Sequence, residues 1–115
     1  DREMCLGVQI ETPAGVVALD DILAVEGVDA VFIGPSDLSA NYGHIGNPGA
    51  PEVVEAVRSS LDKIAASDKA SGIMALDPAA AKSYLDRGVD FVAVSIDACT
   101  LALSLRAIAA DIRNR

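Results

Sequence analysis

Short apolar runs alternate along this chain with longer stretches whose apolar residues recur every three or four positions. The runs at 6–10, 30–33, 72–76 and 91–95 are brief and rich in β-branched residues, which predicts strands. Helices are predicted at 13–25, 51–66, from 78 to a stop at Gly88, and 97–112. Val53, Val57, Leu61 and Ile64 make one apolar face of the second helix; Leu101, Leu105, Ile108 and Ile112 make one on the last. Thr12 reads as an N-cap followed by Pro13 at the first helical position, where its missing N–H costs nothing. Asp77-Pro78 repeats that start, and Asp97 is the expected cap of the last helix. Gly27 and Gly88 are expected helix stops. The segment 34–50 contains Gly43, Gly46, Pro48 and Gly49 and predicts a long loop.

One internal echo stands out. Gly27-Val28-Asp29-Ala30-Val31 matches Gly88-Val89-Asp90-Phe91-Val92, each a glycine stop leading into a strand. It reads either as a repeating parallel architecture or as ordinary αβ-loop chemistry. Strands apolar throughout predict burial on both faces, as in parallel sheets. The expected fold class is therefore α/β, with parallel βα units. Four consecutive strand–helix units fit half a TIM (β/α)8 barrel or a small open doubly wound sheet. No GxGxxG follows a strand, so a dinucleotide fold has no positive support.

Composition narrows the function classes. Hydrophobic residues are 51% and charged residues 23% of the 115, which predicts a folded chain. Aromatics are 3%, so the core must be aliphatic. A net charge of −8 argues against nucleic-acid or anionic-membrane partners, which need clustered Lys and Arg. No apolar run is long enough to span a bilayer. Cys5 and Cys99 form no CxxC and no zinc spacing; without a secretory segment they read as reduced packing thiols of a cytoplasmic protein. The chain starts at Asp1, a few residues before a strand, which predicts a fragment and a single partial domain over 1–115.

In α/β folds reactive residues gather at the carboxyl ends of strands. Glu11, Asp37, Asp77 and Asp97 fall there. Asp77 and Asp97 are read as caps. Thr12-Pro13 already fills the capping role next to Glu11, so its carboxylate is expected to point into the mouth of the sheet, with Asp37 beside it. Two such carboxylates share a proton, bind a metal, or accept backbone N–H bonds. Gly34 allows close backbone approach to a ligand, Pro35 stiffens the turn, and amides near Ser36 face an anion or simply form a tight turn. His44, the single histidine, reads as a solvated loop residue or a general base; Tyr42 covers the loop or touches a ligand; Met74 packs in the core or lines a substrate mouth.

Val8-Gln9-Ile10-Glu11-Thr12 followed by Val31-Phe32-Ile33-Gly34-Pro35-Ser36-Asp37-Leu38-Ser39 resembles the HpcH/HpaI aldolases. Gly46-Asn47-Pro48, Pro51-Glu52-Val53, Gly72-Ile73 and Phe91-Val92-Ala93-Val94 continue the match in order. The resemblance implies the last four βα units of a modified TIM barrel. It implies that Glu11 and Asp37 bind a divalent metal, Mg2+, Mn2+ or Co2+. It implies that Gly34, Pro35 and Ser36 hold the carboxylate of pyruvate or a related 2-oxo acid, and that Met74 touches the aldehyde partner. The implied reaction is retro-aldol cleavage of a 4-hydroxy-2-oxo acid, and its reverse, without a Schiff-base lysine; Lys63, Lys69 and Lys82 fall on or near helices. The family's catalytic His and keto-polarising Arg belong to its N-terminal half, and His44 does not match that His. The chain alone is therefore expected to be inactive. Half a barrel would expose two strand edges and the apolar faces meant for the missing units, so a homo-oligomer is expected, with 98–115 packed on a neighbour. The rival readings are a citrate-lyase β-like acyl-CoA lyase and a non-catalytic half-barrel assembly module.

Overall fold

The computed structural model describes residues 3–113; the expectations placed on Asp1 and on 114–115 lie outside them. Its elements run β1 (Gly7–Ile10), α1 (Pro13–Val17), α2 (Leu19–Leu23), β2 (Ala30–Ile33), α3 (Pro35–Asn41), α4 (Pro51–Ala65), β3 (Ala70–Ala75), α5 (Pro78–Asp86), β4 (Phe91–Val94) and α6 (Asp97–Arg113). The four strands form one parallel sheet in the order β1-β2-β3-β4, so each strand lies beside the next in sequence. Ile10 pairs with Ile33, Ile33 with Ile73, and Ile73 with Val92. This register aligns the carboxyl ends of all four strands along one rim.

One face of the sheet is the core. Ile10, Val31, Ile33 and Ile73 pack there with Leu19, Leu38, Val53, Val57, Leu61 and Ile64. Val53, Val57, Leu61 and Ile64 are the apolar face expected for α4. The other face departs from the expected burial on both sides. Gly7 and Gln9 are exposed, Phe91 is 62% exposed, and Phe32 is half-buried with its ring centroid 5.9 Å from that of Phe91. Helices cover only one side of the described sheet, so apolar strand composition marks a second face that no described element covers.

Two expected elements differ. The helix predicted at 13–25 is broken at Ala18, whose ψ of 4° separates α1 from α2. Gly15, Val16 and Val17 are poor helix formers, and burying Leu19 outweighs their weak preference for continuing. The segment 34–50 is not all loop: it opens with α3, which has Pro35 at its start, Asp37 in its first turn, and Leu38 and Ser39 buried. Its glycines do mark turns beyond the helix, Gly43 and Gly46 at φ of 84° and 75°.

Capping follows the sequence at two sites. Thr12 Oγ1 accepts the Gly15 N–H at 3.1 Å, and Asp77 Oδ1 accepts those of Ala79 and Ala80 at 2.9 and 3.2 Å. Asp97 is a correction: it is the first residue of α6, and its Oδ1 accepts from the adjacent Ala98 N–H at 2.7 Å instead of from the second or third helical amide. The hydroxyls of Ser95 and Thr100 meet at 3.0 Å across that turn, and Ser95 has a positive φ of 64°. Helix α6 buries none of its residues, and Leu101, Leu105, Ile108 and Ile112 are all exposed.

The glycine echo has a physical role. Asp29 Oδ2 accepts the Leu6 N–H at 2.7 Å, just ahead of β1. Asp90 Oδ2 accepts the Ser71 N–H at 2.8 Å in β3. Each aspartate follows a glycine at positive φ and ties its incoming strand to the neighbouring one. The repeat is therefore a strand clasp at the end of the sheet opposite the rim formed by the strands' carboxyl ends.

Candidate active site

The rim is built from the residues that follow β1 and β2. Because Ile10 pairs with Ile33, Glu11 stands beside Gly34. Gly34 N–H donates to the Ile10 carbonyl at 3.0 Å, which continues the ladder into the turn. A Cβ on Gly34 would lie 2.9 Å from Gln9 Nε2, 3.3 Å from Glu11 Cβ and 3.5 Å from Glu11 Oε2. Glycine here leaves room for the Glu11 side chain.

Glu11 is half-buried, and Gln9 Nε2 donates to its Oε2 at 2.7 Å. Asp37 is exposed in the first turn of α3. Asn41, at the end of that helix, donates from Nδ2 to the carbonyl oxygens of both Glu11 and Asp37, at 3.1 and 3.0 Å. The two expected carboxylates are thus on adjacent segments, their backbones joined by one side chain. Gln9 and Asn41 were not singled out from sequence. Gln9 lies two residues before Glu11, so strand alternation puts both on one face, and that signal was available. Asn41 lies four residues after Asp37, a signal that exists only once α3 is known to be helical.

Pro35 is buried and Ser36 exposed at the start of α3. Both line a cleft of ≈ 380 Å³ together with Met74, Leu76, Val54 and Tyr84. Met74 is half-buried and borders this cleft with Ser36, whereas neither Glu11 nor Asp37 lines it. Burial pushes the Tyr84 hydroxyl pKa up, against the opposing charge of Arg87. Arg58 and Arg87 also line the cleft; Arg58 pairs with Glu55 and Asp62 at 2.6 and 3.4 Å, and Arg87 with Asp62 at 3.6 Å.

The remaining candidates are engaged elsewhere. His44 contacts Glu52 in the first turn of α4. Tyr42 packs against the core cluster. Lys63 Nζ donates to Asp20 Oδ2 at 2.6 Å. Cys5 and Cys99 are free and exposed, which corrects the expectation that they pack.

Glu11 and Asp37 are oxygen donors of the kind a hard divalent cation takes, and the missing Cβ of Gly34 leaves space beside Glu11. Among the described residues no group of three or more His, Cys, Asp and Glu is placed to hold a metal ion.

Parallel βα units that bring acidic side chains to the carboxyl ends of adjacent strands are the working arrangement of barrel enzymes. The chain belongs to the HpcH/HpaI aldolase/citrate lyase family, whose profile matches residues 1–103. It is 51% identical over 109 residues to a hydroxypyruvate/pyruvate aldolase of Pseudomonas aeruginosa, covering 95% of this chain and 41% of that protein. It is 49% identical over 108 residues to a 4-hydroxy-2-oxo-heptane-1,7-dioate aldolase of Escherichia coli, covering 94% of this chain and 41% of that protein. A crystal structure of a family member from Burkholderia cenocepacia superposes with a TM-score of 0.89 at 35% identity, covering 97% of this chain and 44% of that one. The chain thus spans about two fifths of the length of the relatives it matches. Its four parallel βα units are part of a TIM-barrel fold. No described helix is long and apolar enough to cross a membrane.

Proposed function

We propose that this chain forms the metal-binding part of an aldolase that cleaves and forms 4-hydroxy-2-oxo acids, with pyruvate or a related 2-oxo acid and an aldehyde as the partners. Glu11 and Asp37 are the ligands of a divalent cation, Mg2+, Mn2+ or Co2+. The observation that supports this most is the adjacency of Glu11 to the Gly34–Asp37 turn at the carboxyl ends of paired parallel strands. When bound, such a cation supplies Lewis acidity at the keto oxygen, where negative charge grows as the carbon–carbon bond breaks.

The chain's own residues supply binding and orientation. Glu11 and Asp37 contribute two negative charges on a rigid rim. Gln9 holds one Glu11 oxygen at 2.7 Å and so limits the carboxylate's rotation. Gly34 keeps the space in front of Glu11 open, while Pro35 and Ser36 form the turn that receives the acid. Met74, which lines the adjoining cleft with Ser36, is the apolar residue assigned to touch the aldehyde.

The 115-residue chain by itself is expected to turn over little or no substrate. The apolar face of α6 is expected to pack on a second copy, since Leu101, Leu105, Ile108 and Ile112 are otherwise in water. The acyl-CoA lyase reading has less support, because the relatives at 51% and 49% identity are named aldolases.

The test is the full gene product containing this chain, assayed with Mn2+ and a 4-hydroxy-2-oxo acid. Glu11→Gln and Asp37→Asn should each lower kcat/KM by at least about a hundredfold. Chelation should abolish turnover, and added Mn2+ should restore it. Turnover unaffected by chelation and by both substitutions would sink the proposal.

A further inference from the structure

We infer that Asn41 is a positioning residue that fixes the separation of the two carboxylate-bearing segments; this rests on the metal reading above. Its carboxamide nitrogen donates to the Glu11 carbonyl at 3.1 Å and to the Asp37 carbonyl at 3.0 Å, spanning 30 positions of sequence on one side and four on the other. Both protons of the amide are therefore used. Both partners are carbonyl oxygens, so only the nitrogen can face them, and the side-chain oxygen in its place would repel each.

The tie sits where it matters for a cation. The ladder bond from Gly34 N–H to the Ile10 carbonyl is followed, one residue on, by the Asn41 bond to the Glu11 carbonyl. Asn41 is itself held by a braced helix. Ser39 is buried and donates to the Ser36 carbonyl at 2.7 Å, and its own carbonyl accepts the His44 N–H at 2.8 Å. The short helix α3 is thus pinned inside, and Asn41 fastens it across to β1. With both peptide carbonyls anchored, the Cα atoms of Glu11 and Asp37 keep one spacing. Metal–ligand distances tolerate only about 0.2 Å of error, so a loosened spacing weakens binding without removing a ligand.

The chemistry demands asparagine. Aspartate has nearly the same shape but no donor, and sets a negative charge against two carbonyl oxygens. Alanine removes the tie. Serine is too short to serve both sites, but can bond back to the carbonyl four residues earlier.

The experiment is titration of Mn2+ into the full gene product, read by the loss of the free-ion electron paramagnetic resonance signal. Wild type, Asn41→Ala, Asn41→Ser, Asn41→Asp and Glu11→Gln are compared, and thermal midpoints are recorded in parallel. Asn41→Ala should raise the Mn2+ dissociation constant about tenfold, the scale seen for groups that orient metal ligands. Asn41→Asp should raise it further. Asn41→Ser keeps the bond within α3 and should still show the loss if Asn41→Ala fails to fold. A lowered midpoint with unchanged Mn2+ affinity in the Ala and Asp variants would overturn the inference. If Glu11→Gln loses Mn2+ while the Asn41 variants do not, the inference fails and the metal reading stands. If Glu11→Gln binds as wild type does, both fail together.

Discussion

Asp90 and Ser71 clasp each other through three hydrogen bonds: the Ser71 N–H and hydroxyl donate to Asp90 Oδ2 at 2.8 and 2.9 Å, and the Asp90 N–H donates to Ser71 Oγ at 3.2 Å. The clasp joins the start of β4 to β3 at the end of the sheet away from the strands' carboxyl ends. The backbone N–H bond first, and the hydroxyl bond second, favour the charged carboxylate and hold its pKa below the ordinary value.

That shift has a definite sign. A carboxyl whose folded pKa is depressed contributes stability above its unfolded pKa, and the contribution disappears as pH falls through the lower folded value. The thermal midpoint of Asp90→Asn should therefore depend less on pH than that of wild type below about pH 4. Melting both proteins across acidic buffers checks it; parallel curves would show that the clasp does not depend on the charge.

Gly34→Ala should separate folding from function. Its Cβ would press 2.9 Å from Gln9 Nε2, which can swing away, and 3.3 Å from Glu11 Cβ, which must give by a few tenths of an ångström. The fold should survive while the Gln9–Glu11 bond is lost. We expect about a tenfold loss of Mn2+ affinity in the full gene product, at the low end of the effect of disturbing a ligand's support. Calorimetric titration measures it, and wild-type affinity in the variant would contradict the crowding argument.

Ser60 lies on the core face of α4, is 1% exposed, and its hydroxyl has no hydrogen-bond partner among the described residues. A buried unpaired hydroxyl is a cost to the folded state. Ser60→Ala should raise stability by about 1 kcal/mol. Denaturant unfolding decides this; a clear loss of stability would mean that the hydroxyl has a partner after all.

The helix starts at Pro13, Pro51 and Pro78 were legible because proline acts at its own position and nothing distant overrides it. The strand at 30–33 was legible for a similar reason, set between the Gly27 stop and Gly34. The break at Ala18 was not, because periodicity runs smoothly through a site where the burial of Leu19 decides the geometry. Helix α3 was hidden by the glycines that follow it. The uncovered sheet face could not be read from the strands themselves, since an apolar strand looks the same whether its second face is covered or bare; it was expected only from the half-barrel resemblance.

Sequence by itself determined the order of the βα units and the placing of Glu11 and Asp37 just beyond strands, because caps, stops and β-branched runs act within a few residues. Tertiary structure alone decided that Glu11 stands against Gly34 and that Asn41 joins its carbonyl to that of Asp37. The strand–strand and helix–strand contacts among these join residues far apart in the chain. They exist only once parallel pairing has set the register, and no local preference encodes a register.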